Sequence, residues 1–234
     1  ALAISASSST PPTLTRAILV LGERIRSHAS HLYFFSLPDY LGVESALALP
    51  PKHKPKVLKA LQVITLGNSI VQKFGGREMH PFLKIQNKFP QENFPEMIKQ
   101  LEKIKSTILE TIKLFTSLQY KDITRESQHI SLEQKNNYPS ISGKIRLGSE
   151  TFKDEDYKSH LTENIKEYAT SKFVLHHNKT YSLGSISRIS NNHKNLDPET
   201  KKQLNIALKK LNLKLPLTNP HHNLIAQNKN QSRT

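Results

Sequence analysis

Histidines are the residues of this chain best suited to chemistry, and two of them, His28 and His31, stand three apart in a segment of helical periodicity. That spacing puts both imidazoles on one helix face, where they can hold a divalent ion once further ligands arrive from elsewhere. The chain has no cysteine to supply one, and no carboxylate occupies a matching position on that helix. The pair therefore reads as structural, with His28 a hydrogen-bonded core histidine. His176-His177 and His221-His222 are adjacent pairs. Sequence neighbours point in different directions on a helix or a strand, so both pairs read as solvated loop histidines. Gly75 and Gly76 raise the question of a phosphate-cradling loop. That pattern needs glycines around a Lys-Ser/Thr at a strand-to-helix junction, whereas these two follow a helix and read as its stop. No Ser/His/Asp set assembles from spacing, and the scattered carboxylates form no marked pair. The residues by themselves assign no catalytic group and no metal ligand.

The elements that must position these groups come in a clear order. Beyond Pro11-Pro12, apolar residues recur at Leu14, Ile18, Leu21, Ile25 and Leu32 with His28 on the same stripe. Alternating steps of four and three mark one buried helical face, and Pro38 is expected to end the helix. A second helix is expected over residues 54–74, with Val57, Leu61, Ile64, Asn68 and Val71 on one face. It stops at Gly75 and Gly76, where glycine takes the left-handed cap conformation at little cost. A third runs from Pro95 through Met97, Leu101, Ile104, Ile108, Phe115 and Leu118. Three long helices on short connections point to a bundle. After Tyr120, the alternation of Ile141, Gly143, Ile145 and Leu147 predicts a short hairpin. Residues 154–168 read as an acidic-capped helix and residues 172–190 as strand and loop. A last helix opens with Asp197 at its cap and Pro198 at its first position. The fold class is mainly α with a small β portion. The reading is of one partial domain: bundle to residue 119, mixed segment 120–190, final helix and connection 191–227, frayed tail 228–234.

Composition bounds the function. The chain has 234 residues, with 34 Lys plus Arg against 19 Asp plus Glu, a formal charge of +15. Hydrophobic residues make up 36 %, enough to bury a core. The absence of cysteine excludes disulfides, thiolate metal sites, iron–sulfur clusters and cysteine nucleophiles within these residues. No apolar run approaches the ~18 residues that span a bilayer, and no secretory leader opens the sequence. The charge favours polyanions, yet the basic residues are spread over every segment instead of clustering with aromatics, which argues against nucleic acid.

Four segments in order carry a family resemblance. Arg24-Ile25-Arg26-Ser27-His28-Ala29-Ser30-His31-Leu32-Tyr33-Phe34-Phe35 with Leu37-Pro38-Asp39-Tyr40-Leu41-Gly42 resembles a conserved helix of nickel-iron hydrogenase large subunits, and its wording is similar to the soluble, cytoplasmic type. Gly67-Asn68-Ser69-Ile70 with Gly75-Gly76-Arg77-Glu78-Met79-His80-Pro81 resembles a second segment of that family. Tyr181-Ser182-Leu183-Gly184-Ser185-Ile186-Ser187-Arg188-Ile189 resembles a third, and Asn219-Pro220-His221-His222-Asn223-Leu224-Ile225-Ala226-Gln227 a fourth.

The resemblance implies the long-helix core of a large subunit whose complete form interconverts dihydrogen with protons and electrons. The family holds its nickel-iron centre with two C-x-x-C pairs, since soft thiolates suit such metals. This chain has neither, so the expectation is an internal fragment that binds no nickel itself. The implied partner is a small subunit carrying iron–sulfur clusters, with further electron-transfer subunits beyond it, in the cytoplasm. His80, with Arg77, would face the small subunit's proximal cluster and tune it by hydrogen bonding. His28 and His31 would be buried and polar-bonded. Ser187, where the family usually has alanine, and residues 84–89, where it has a glycine-rich stretch, read as drift. The alternatives are a basic helical module that binds nucleic acid, with affinity falling steeply in salt, and a degenerate hydrogenase-like scaffold subunit.

Overall fold

The computed structural model describes residues 13–81, 94–120, 128–139 and 141–215. The motif expected at residues 219–227, the tail at 228–234 and the departure at residues 84–89 lie outside them. The chain divides into two compact units between Gln119 and Tyr120, and the whole is an α+β protein.

The first unit is helical. Helix α1 (Thr13–Ser30) passes into a π-helical stretch (His31–Ser36) and then α2 (Leu37–Leu41). Pro38 does not end the helix as expected. The π turn resets the hydrogen-bond register, and Pro38 falls in the first turn of α2, where its missing N–H costs nothing. The stop comes at Gly42, whose φ of +67° is left-handed. Helices α3 (Lys54–Gly75) and α4 (Phe94–Phe115) complete the unit. One apolar cluster joins Leu19 of α1, Leu66, Ile70, Val71 and Phe74 of α3, and Met97 of α4. A second joins Tyr33, Leu37, Leu49, Ala60 and Leu114.

The buried face of α1 is not the stripe of large residues. Thr15, Leu19, Gly22, Ala29 and Tyr33 face inward, and Leu14, Leu21 and His28 are exposed. The cause is close helix approach. A Cβ on Gly67 would meet Arg26 N and Gly22 O at 2.8 Å, and one on Gly22 would meet Ile70 Cγ2 at 2.8 Å. The two glycines let α1 and α3 touch backbone to backbone, and that contact fixes which side of α1 turns inward.

The second unit holds a four-stranded sheet in the order β3-β2-β1-β6, formed by β1 (Gln128–Glu133), β2 (Lys144–Leu147), β3 (Glu150–Phe152) and β6 (Tyr181–Ser182). The β1–β2 and β2–β3 pairs are antiparallel, and β1–β6 is parallel. The hairpin expected around Ile145 and Leu147 is β2–β3, while β1 carried no clear sequence signal. A separate antiparallel ribbon pairs β4 (Leu161–Asn164) with β5 (Phe173–His176). The helix expected over residues 154–168 is shorter than read: a 3-10 turn, then α5 (Tyr157–His160), after which the chain extends into β4. Within residues 172–190, Ser185–Asn192 is a helix, α6, and not a loop. Helix α7 (Pro198–Lys210) forms as read, with the Asp197 carboxylate accepting from Thr200 N at 3.0 Å.

Candidate functional site

The turn after α3 is built from glycine and proline. Gly76 caps α3 at φ +80°, and Gly75 is buried where a Cβ would lie 2.5 Å from Pro81 Cβ and 3.1 Å from Leu19. No other residue fits there without moving the chain. Arg26 of α1 donates from Nη1 to Glu78 O at 3.0 Å, and Arg77 Nε donates to His80 O. His80 sits at φ +52°. The two bonds hold the tight crossing while Arg77, Glu78, Met79 and His80 all present exposed side chains. The structure thus brings Arg77 and His80 together on one turn facing outward.

His28 and His31 are both exposed, which corrects the expectation of burial. The inward turn of Ala29 and Tyr33 displaces them. His31 Nε2 pairs with Ser36 Oγ at 3.1 Å across the π turn, and its ring lies along Phe35. The buried polar group at this level is Tyr33, whose hydroxyl donates to Thr111 Oγ1 at 2.8 Å while Thr111 donates to Thr107 O. Burial raises the Tyr33 phenol above its ordinary value.

Ser187, where the resemblance leads one to expect alanine, has a structural place in the fold. It is 0 % exposed, donates from Oγ to Ser182 O at 2.6 Å and accepts from His129 Nδ1 at 3.1 Å. The hydroxyl proton is committed to a carbonyl, so this serine–histidine pair is a structural link between α6, β6 and β1 and not a nucleophile and its base.

The correction of most chemical interest concerns His176 and His177. His176 is 1 % exposed at the end of β5, and its Nδ1 donates to Gln128 Oε1 at 2.8 Å. His177 and Asn178 follow at φ +47° and +60°, and His176 and Lys179 exchange backbone bonds of 3.0 and 2.9 Å around them. This two-residue turn, with both central residues left-handed, breaks strand alternation. It swings the His177 ring round to lie 4.2 Å from that of His176. Both imidazoles then reach Glu150: His177 Nε2 donates to Oε1 at 3.0 Å, and His176 Nε2 lies 3.4 Å from Oε2. His160 Nδ1 donates to Oε2 at 3.2 Å, its ring stacked on Phe152 at 3.8 Å. Burial would raise the Glu150 carboxyl, but the bonds from His177 and His160 and the nearby His176 imidazole outweigh it and hold it below the usual carboxylate value. Sequence spacing gave no sign of this cluster, because Glu150 is remote and adjacent histidines normally diverge.

Comparison with known proteins places these features. The chain is 31 % identical over 222 residues to the sulfhydrogenase 1 alpha subunit of Pyrococcus furiosus, covering 91 % of this chain and 50 % of that one. It is 42 % identical over 65 residues to the sulfhydrogenase 2 alpha subunit of the same organism, 28 % of this chain and 16 % of that one. It is 21 % identical over 201 residues to an F420-non-reducing hydrogenase chain of Methanocaldococcus jannaschii, 74 % of this chain and 47 % of that one. In structure it is similar to an NAD+-reducing [NiFe]-hydrogenase at a TM-score of 0.69 and 16 % identity, covering 81 % of this chain and 49 % of that one. No family model matches the chain.

The class is therefore the hydrogenases, with the α+β fold that one of them displays. Within it, the chain belongs to the family of nickel-iron hydrogenase large (alpha) subunits, and it spans about half the length of the curated relatives it matches. Full-length members of that family carry a nickel-iron centre and pair with a small subunit. The donors present here do not fit that centre, because no cysteine occurs among the 234 residues and soft thiolates are what such a site requires. Among the described residues, no helix is long and apolar enough to cross a membrane.

Proposed function

We propose that this stretch is the helical scaffold of a nickel-iron hydrogenase large subunit. In its complete form that subunit works with an iron–sulfur small subunit in the cytoplasm to interconvert dihydrogen with protons and electrons. The observation that carries the reading is the 31 % identity extending over 222 residues. The structural setting of the shared segments supports it. Gly67 and Gly75 occupy positions where a side chain would collide with backbone or with Pro81, so those motif residues have a mechanical reason to be glycine.

The role for Arg77 and His80 is to meet the small subunit's nearest cluster. Both side chains are exposed on a turn that the Arg26–Glu78 bond anchors to α1. Such a turn offers N–H donors from a rigid base, and hydrogen bonds near cluster sulfurs are one lever on reduction potential. The test is a redox titration of that cluster in the assembled complex of large and small subunits. His80→Ala is expected to lower its potential, because removing a donor destabilises the reduced, more negative cluster. An unchanged potential in both His80→Ala and Arg77→Gln, with assembly intact, overturns the role. Failure of the two proteins to associate at all overturns the scaffold reading itself.

A further inference from the structure

The Glu150–histidine cluster lies in the second unit and belongs to none of the shared motifs, so its chemistry stands apart from the hydrogenase reading. Three of its groups offer ligand atoms that all lie within 4.8 Å of one another: a Glu150 carboxylate oxygen and one ring nitrogen each of His176 and His177. Zinc holds nitrogen and oxygen ligands at about 2.0–2.2 Å, which sets neighbouring ligand atoms of a tetrahedron about 3.3 Å apart. His177 Nε2 lies 3.0 Å from one oxygen of the carboxylate and His176 Nε2 lies 3.4 Å from the other, so the two nitrogens flank the carboxylate at about that separation.

A second, independent observation points the same way. His176 Nε2 is buried and has no hydrogen-bond partner. Its other nitrogen donates to Gln128 Oε1, which fixes the tautomer and leaves the Nε2 lone pair aimed at a carboxylate oxygen. A proton or a metal ion between the two relieves their repulsion, and the second imidazole that His177 sets against the same carboxylate favours the metal ion. The arrangement is also the one metal-binding histidines commonly show, with the distal N–H held by an outer carbonyl. His160, stacked on Phe152, donates to the carboxylate and orients it.

We propose that Glu150, His176 and His177 bind a divalent transition ion of the zinc class, with His160 and Gln128 as positioning residues. Two imidazoles and one carboxylate suit zinc with water in the fourth place, and they disfavour magnesium and calcium, which take oxygen ligands. The ion would tie β3 to the end of β5, joining the four-stranded sheet to the β4–β5 ribbon.

The test titrates Zn2+ alone into the full chain in competition with a chromophoric chelator, with Mg2+ as a parallel arm. One equivalent of Zn2+ bound, and no Mg2+, is expected. His177→Ala changes an exposed side chain and is expected to leave the fold intact by circular dichroism. It should weaken Zn2+ at least as much as Gln128→Ala, for which loss of an outer partner costs about 10–100-fold. Glu150→Gln should weaken it likewise, and the double variant His28→Ala with His31→Ala should not. Absence of stoichiometric Zn2+ binding overturns the proposal. So does affinity unchanged by His177→Ala and Glu150→Gln, or affinity lost in the His28/His31 variant.

Discussion

Gly67→Ala puts the helix crossing to a quantitative test, because two opposing effects of known size meet at one atom. Alanine is the better helix former by about 1 kcal/mol, so an α3 governed by propensity would gain stability. In the fold, however, the new Cβ lies 2.8 Å from Arg26 N and Gly22 O and 2.9 Å from Arg26 Cβ. Two of these neighbours are backbone of α1 and cannot rotate away. The helices must part by several tenths of an ångström, which loosens the Leu19–Ile70–Val71 packing beside the crossing. Overpacking costs about 1–3 kcal/mol. Contacts under 3.0 Å with backbone atoms belong to the upper part of that range, about 2–3 kcal/mol, and the propensity gain offsets about 1 kcal/mol of it. The expected net loss is about 1–2 kcal/mol. For a unit of ~100 residues each kcal/mol moves Tm by about 4–8 °C.

The assay is thermal unfolding of the full chain by far-UV circular dichroism, fitted as two transitions because the chain has two compact units. Gly22→Ala is the comparison. Its Cβ meets the Ile70 side chain, at 2.8 Å from Cγ2, and a side chain can turn, so its loss is expected to be smaller. A Gly67→Ala chain as stable as the parent, or a Gly22→Ala chain less stable than Gly67→Ala, would refute the backbone-contact argument.

Ser187→Ala should destabilise the second unit by about 1–3 kcal/mol, because it removes a buried hydroxyl that bonds both His129 Nδ1 and Ser182 O; urea midpoints measure it. Ser187→Thr would add a methyl group at a position with no exposure and is expected to be no better. Tyr33→Phe removes one buried hydrogen bond but leaves Thr111 bonded to Thr107 O, so a loss of only about 1 kcal/mol is expected. The N-cap of α7 should be pH-dependent. The bonds from Thr200 hold the Asp197 carboxyl below its ordinary value, so the stability it contributes is complete above the unfolded carboxylate pKa. That contribution fades as pH falls through the lower folded one. A protection factor at the Thr200 amide, referred to the intrinsic exchange rate at each pH, that falls on acidification checks the sign, and one that rises would contradict it.

Much of this protein is legible in its residues because local rules suffice for it. The extent of α3 and α4, the Gly76 stop, and the Asp197-Pro198 start of α7 follow from periodicity, glycine's access to positive φ and cap chemistry, none of which depends on distant partners. The family is legible too, since the motif residues keep their order. What failed did so where contact distance or an unusual torsion overrides periodicity. Large apolar residues mark a stripe on α1, but the approach of Gly22 to Gly67 decides which side turns inward, and it leaves His28 and His31 outside. Strand alternation separates His176 from His177 in any one-dimensional reading. Left-handed torsions at His177 and Asn178 then bring the two rings side by side, and the sheet delivers Glu150 from 26 positions upstream. The partners of the Ser187 hydroxyl on β1 and β6 likewise come together only in the fold. The sequence by itself determined the helices, their ends and the family. Tertiary structure alone decided which polar groups meet, because that depends on backbone approach and on pairing between segments far apart in the chain.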